Sequence, residues 1–409
     1  MSAGTEREPM VQPPALRTSQ EASASNLELF FDLAYVLVVN ELAVAFLKHL
    51  TWSGLGTFVA LFVAIWMSWV GFTLYANRFD TDDVLFRIGK LAATLSIAGC
   101  AASAATATSS FSTPFAVCFL AGRVILLVLH VRAWRHVPDA RSTISVYLVT
   151  IAVSSVLWTV SLAFDGPARY WLWGAAVAVD AIGPVIATWR DNHLPLHMEH
   201  LPERFGLFVI LVLGEAVGGA AIGVRDAEWD ASAVAVGVAG FVIAAAMWWI
   251  YFDTAAAVGA AALRRRDDES DDGAPADERH DLFVYGHLPL ALGIVMAGVG
   301  IEELVLHPGA ALPSAAGWIL AAGVTLFLTG TALVLGGSSH SWRAIWPWPL
   351  AAVPIVPAAA ALGHHHAQLL VAGLALLCLV LAVRGTVDRR NSGAGSVRPA
   401  VQKTPRTPA

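Results

Sequence analysis

The chain has 409 residues, of which 57% are hydrophobic and only 14% charged, whereas soluble domains carry about 25% charged residues. Its small formal net charge of −6 argues against a nucleic-acid partner. Mean hydropathy is +0.64 and apolar runs recur along the whole length, which excludes an ordinary soluble domain and makes the lipid bilayer the first expected partner.

Residues 1–26 form a polar, Pro- and Ser-rich tail in which Glu6, Glu8 and Glu21 offset Arg7 and Arg17. No cleavable signal is visible there, so the first span is expected to serve as the insertion signal. Apolar runs then predict helices near 28–48, 54–76, 85–108, 112–132, 143–164, 169–188, 205–224, 231–254, 283–306, 315–337, 345–362 and 367–384. Each is close to the roughly 20 residues that a crossing needs. The expected fold class is therefore an all-α, polytopic integral membrane protein of about 12 transmembrane helices. Cys100, Cys118 and Cys378 scatter through apolar runs and match neither a disulfide framework nor a metal spacing.

Lysine and arginine test that count. Both tails and the even-numbered loops with their edges hold 21 of the 25 basic residues. Only Lys48, Arg169 and Arg225 fall on the odd-numbered side, and Arg123 lies inside the fourth span. This alternation predicts both termini on the cytoplasmic side of the membrane. Trp52, Trp134, Trp171, Trp173, Trp189, Trp229, Trp342, Trp346 and Trp348 fall near predicted helix ends, where indoles favour the interface.

An internal repeat is expected. Glu28 through Asn40 and Glu41 aligns with Glu203 through Glu215 and Ala216, Met67-Ser-Trp69 with Met247-Trp248-Trp249, and Leu85 to Lys90 with Leu282 to His287. The matches keep their order, which predicts two six-helix repeats, 27–190 and 203–385, with a substrate path between them. The stretch 264–281 reads as a charged cytoplasmic loop, and 386–409 as a basic, disordered cytoplasmic tail.

Charges inside spans are the candidate functional groups, because an ion at the centre of a bilayer costs about 2.5 kcal/mol or more. The first span carries Glu28, Asp32, Asn40 and Glu41. Asp32 lies four residues beyond Glu28 and on the same face, and Asn40 shares its wall better than Glu41 does. Glu203 and Arg204 open the seventh span, and Glu215 lies twelve residues deeper among Gly214, Gly218 and Gly219. Arg123 needs a carboxylate, which Glu215, Asp32 or Asp180 could supply. Asn77, Arg78, Asp80, Asp82 and Asp83 crowd the second loop, where an ion-pair gate and ordinary solvation are both open readings.

These segments carry a resemblance. The runs Glu28-Leu-Phe-Phe-Asp32-Leu, Tyr75-Ala-Asn77-Arg78-Phe-Asp80-Thr-Asp82-Asp83, Glu203-Arg204-Phe-Gly-Leu-Phe, Leu213-Gly214-Glu215, Trp248-Trp249-Ile-Tyr-Phe-Asp253 and Gly286-His287-Leu-Pro289 resemble the bacterial low temperature requirement protein A family over about residues 25 to 385. The family commonly has Ser after Leu-Gly-Glu, where this chain has Ala216. The resemblance implies a polytopic membrane protein linked by name to growth in the cold, and it brings no assigned chemistry.

The expected function is transport of a small solute or ion, with coupling to protons as an option. Asp32, Asn40, Glu41, Arg123, Asp180 and Glu215 would lie along the path. Glu28, Asn77, Arg78, Asp80, Asp82, Asp83, Glu203 and Arg204 would form a cytoplasmic gate. An ion channel and an integral-membrane enzyme or accessory protein of lipid metabolism are the alternatives. No catalytic motif, cofactor site or metal site is expected: His193, His197 and His200 have no paired nucleophile, and His364 to His366 read as a solvated loop. No lysine is expected inside a span, which excludes a retinal Schiff base.

Overall fold

The computed structural model describes residues 10–17, 25–80, 82–190, 200–256, 277–308, 314–338, 347–355 and 367–391. Twelve α-helices are present among them: α1 (Asn26–Leu47), α2 (Trp52–Arg78), α3 (Val84–Ala104), α4 (Ser112–His136), α5 (Arg141–Ser161), α6 (Pro167–Arg190), α7 (His200–Asp226), α8 (Ala231–Ile250), α9 (Asp277–Leu306), α10 (Ser314–Ser338), α11 (Pro347–Ala352) and α12 (Ala367–Asn391). All but α11 are long and apolar enough to span a bilayer. The predicted eleventh span, 345–362, is represented by α11 alone, and its remainder lies outside the described residues. The loop over 257–276, His364 to His366 and the tail beyond 391 also lie outside them.

Side chains set several helix starts. Ser25 caps α1 in a capping box, accepting from the Glu28 amide while Glu28 accepts from the Ser25 amide. Thr51, Asp83 and Asp230 cap α2, α3 and α8. The side on which α1 begins is called the near side below, the other the far side.

Glycine controls the tightest contact. A Cβ on Gly293 of α9 would lie 2.5 Å from the Gly323 carbonyl oxygen and the Phe327 amide nitrogen of α10. One on Gly330 of α10 would lie 2.5 Å from the Leu290 amide nitrogen. Backbones this close gain dispersion that bulkier residues forbid, the usual adhesive between helices in lipid. α9 also packs against α1, α2, α6, α7 and α8, which makes it the central helix. Outward faces carry exposed Leu33, Leu37, Val149 and Leu376, which hydrocarbon solvates.

Two expectations change. Trp52, Trp171, Trp189 and Trp229 are exposed at helix ends, but Trp173 and Trp348 are buried. Trp173 stacks on Trp158 and donates to the Ser161 hydroxyl at 2.9 Å. The polar tail also contributes a strand: Ala15–Leu16 (β1) pairs antiparallel with Phe79–Asp80 (β2), and the Arg17 amide donates to the Arg78 carbonyl at 3.0 Å. Loop backbone with open donors and acceptors accepts such a strand readily.

Candidate functional site

Four polar side chains meet where α1, α2 and α7 converge near the near side. Asp32 is the seventh residue of α1, at the end of its second turn, and is fully buried. Its Oδ1 accepts from Trp69 Nε1 at 2.9 Å and from Arg204 Nη2 at 2.8 Å. Arg204 is itself fully buried, and its Nε lies 3.8 Å from Glu28 Oε1. Asp32 Oδ2 and Arg204 Nη1 have no hydrogen-bond partner among the described residues. A buried ion pair with spare valences is expensive to keep as mere glue, since the attraction barely offsets desolvation.

Lys90 joins this cluster, correcting the expectation that no lysine lies inside a span. It sits seven positions into α3, 1% exposed, with Nζ 3.7 Å from the Phe31 ring centroid and 5.1 Å from that of Phe72. The sequence reading placed it at a loop edge with Arg87. The helix carries it inward, where two aromatic faces attract its charge.

Deeper in the same seam, Asn40 Nδ2 donates to Glu215 Oε2 at 2.7 Å, joining α1 to α7 a second time. No cation pairs with Glu215 among the described residues. Glu302 of α9 is its acidic neighbour on the next helix: Glu302 Oε2 would lie 3.2 Å from a Cβ on Gly219. Of the three glycines flanking Glu215, only Gly219 meets a neighbour among the described residues, and nothing described lies within 4 Å of a Cβ on Gly214 or Gly218. Glu41 is half-buried and outside both contacts.

Arg123 lies elsewhere and has a single carboxylate partner. Its Nη2 donates to Asp180 Oδ1, and Ser154 Oγ donates to Asp180 Oδ2 at 2.9 Å. This triad ties α4, α5 and α6 together, apart from Asp32 and Glu215. Sequence reading kept all three carboxylates open because depth alone cannot choose among them.

The second-loop motif is a structural junction. Asp83 caps α3 through the Phe86 amide and accepts from Arg132 Nη1 at 3.0 Å and Nη2 at 2.6 Å. The same Arg132 donates to the Gln12 carbonyl, and the Gln12 amide donates to Asp83 Oδ2 at 3.3 Å. Burial opposes the charge of Asp83, but the hydrogen bonds from Arg132 and Phe86 win and hold its carboxyl below the usual range of 3.8. Asp82 is exposed and held low by its hydrogen bond with Arg87. Arg78 lies over the Tyr147 ring at 5.0 Å, Asn77 is fully buried, and Asp80 supplies backbone to β2. Glu203 is half-buried in the first turn of α7. His193 and His197 lie outside the described residues. A cleft of about 280 Å³ on the far side, lined by Phe46, His49 and Thr57, contains none of the predicted residues.

Trp69 and Lys90 are the cluster members that sequence reading missed. Trp69 appeared there only in a repeat match, although an indole N–H inside a span must find an acceptor.

Comparison with known proteins agrees with the motifs. The family model for the bacterial low temperature requirement A protein (LtrA) matches residues 23–384. An uncharacterized protein of Rhizobium meliloti (strain 1021) is 28% identical over 303 residues, covering 71% of each chain. No solved structure matches.

Proposed function

Because this chain belongs to the bacterial low temperature requirement A family and is a multi-pass membrane protein, we propose that it is a carrier of a small solute or ion in the bacterial cytoplasmic membrane. Its moving seam is the contact between α1 and α7. The observation that carries this reading is the doubled polar link there, Asp32–Arg204 on the near side and Asn40–Glu215 beyond it. Two discrete links at different depths suit alternate opening, each one breaking while the other holds. Glu215, hydrogen-bonded to an amide and paired with no cation among the described residues, is the group placed to carry a coupling proton.

The two-repeat organisation belongs to this proposal. Asn40 and Glu215, which the repeat aligns, touch each other. α3 packs on α1 as α9 packs on α7, and the aligned pair Lys90 and His287 lie against Phe31 and Phe205 respectively. Glu28, Glu203 and Arg204 would gate the cytoplasmic side, and both termini would be cytoplasmic.

Purified protein in liposomes, screened with solute pools and with a pH-sensitive dye, tests the reading. Solute-dependent flux that Asp32→Asn and Glu215→Gln each reduce at least about tenfold, in folded protein, is expected. Turnover of a lipid without flux would replace the carrier by the membrane enzyme. Passive ion current unaffected by the proton gradient would replace it by the channel.

A further inference from the structure

α6 contains a broken rung. Pro184 has no N–H, so the Asp180 carbonyl, one turn earlier, receives no amide from that position of its own helix. Both residues line a cavity of about 20 Å³ among α2, α4, α5 and α6, which also touches Met67, Gly71, Arg123 and His130.

Arg123 and His130 of α4 line the same space. Arg123 is 2% exposed and spends Nη2 on Asp180, but its Nε is buried with no partner among the described residues. His130 is 3% exposed, with Nδ1 2.9 Å from the Leu126 carbonyl. A carbonyl only accepts, so Nδ1 carries the hydrogen and Nε2 is an acceptor. The lining residues thus offer Arg123 Nε as a donor and the Asp180 carbonyl and His130 Nε2 as acceptors, beside the hydroxyl-bearing Tyr147 and Thr150.

That inventory selects the ligand. A water needs about 10–15 Å³ and two to four polar partners. One water can accept from Arg123 Nε and donate to both acceptors, which satisfies these three groups at once. A small anion would meet two acceptors, and a metal cation would meet a guanidinium.

We infer that this cavity is a built site for one ordered water, which accepts from Arg123 Nε and donates to the Asp180 carbonyl and His130 Nε2. The water joins α4 to the broken rung of α6. Beside Pro184, where α6 lacks one backbone hydrogen bond, a water can leave and return without repacking a side chain.

X-ray radiolysis makes hydroxyl radicals from waters where they sit, so it labels buried residues beside ordered water. The probe is Met67, which is 3% exposed and lines the cavity. The references are Met10, 78% exposed, and Met247 and Met296, buried as deeply and outside this cavity. In the full chain in lipid nanodiscs, Met67 should oxidise within about threefold of Met10, and Met247 and Met296 at least about tenfold more slowly. Gly71→Ala places a methyl group 3.7 Å from Arg123 Nη1 and meets only the flexible end of Leu126, at 2.9 Å. It should slow Met67 about fivefold and leave Met10 unchanged. Should that variant not fold, Val70→Ile fills the same space and is read identically. A Met67 rate no faster than that of Met247 and Met296 overturns the site, as does an unchanged Met67 rate in a folded cavity-filling variant.

Discussion

Arg123 and Asp180 are nearly sealed from solvent, and among the described residues only Ser154 shares their hydrogen bonding. Removing either charge strands the other, at a cost of about 3–5 kcal/mol. Arg123→Gln and Asp180→Asn should each lower thermal stability in detergent, and the double variant should recover much of the loss. Combined with Glu215→Gln, Arg123→Gln should instead be additive within about 0.5 kcal/mol. Coupling between Arg123 and Glu215 would mean that the two groups share a network absent from the observed contacts. The sequence marked Asp32, Arg123, Asp180 and Glu215 because ions do not enter hydrocarbon without a reason. It could not pair them, since Asp32 finds Arg204 at a separation of 172 residues and three carboxylates suited Arg123 equally. Lys90 was missed for a different cause. It lies near the start of the predicted third span, and the Phe31 and Phe72 rings that cover it come from α1 and α2, contacts that the sequence of α3 does not show.

Among the elements, α9 and α10 meet through glycine while α7 carries glycines that touch nothing, which separates two uses of one residue. Gly293→Ala drives a methyl group into two backbone atoms of α10 and should destabilise by about 1–3 kcal/mol. Gly214→Ala meets nothing within 4 Å and should be neutral, or stabilising by up to about 1 kcal/mol. Equal effects in a detergent melting series would refute the close α9–α10 approach. The strand β1 makes a pH-dependent contact. Asp83 binds Arg132 as a carboxylate, with its folded pKa below 3.8, so its contribution is full above 3.8 and is lost as pH falls through the folded value. Amide exchange at Arg17, corrected for intrinsic rates, should therefore stay protected at neutral pH and accelerate in acid. Arg132→Gln should move that loss upward toward 3.8. Protection at Arg17 independent of pH would detach the strand from Asp83. Hydropathy outlined the long helices to within a few residues. The β1–β2 pairing escaped it, because two-residue strands joined by backbone leave no periodic pattern.

For the whole molecule, the basic residues predict sidedness. Cysteines placed at Ser25, Ser270 and Ser392 in a Cys-free background should resist impermeant reagents applied to intact cells. Labelling at Ser270→Cys would overturn both the topology and the two-repeat reading. The class of fold was open to the sequence because hydropathy alone separates lipid-facing helices from soluble ones. The centre of the bundle was hidden, since glycine contacts between α9 and α10 look like any apolar stretch until both helices are placed. That centre has a consequence in time. α9 is the common neighbour of α1, α2, α6, α7 and α8, yet it leaves the ribosome after all of them. At about 5–20 residues per second, several seconds separate completion of α8 from completion of α9. During that interval the nascent bundle surrounds a seat still empty, with the interior flanks of five helices open to chaperones and membrane proteases. Rare codons over 257–276 should shorten the half-life of newly made protein in a pulse-chase, and an unchanged half-life would show that the first eight helices assemble without their centre. Cellular abundance is then set during synthesis, by how quickly the ribosome crosses one acidic stretch.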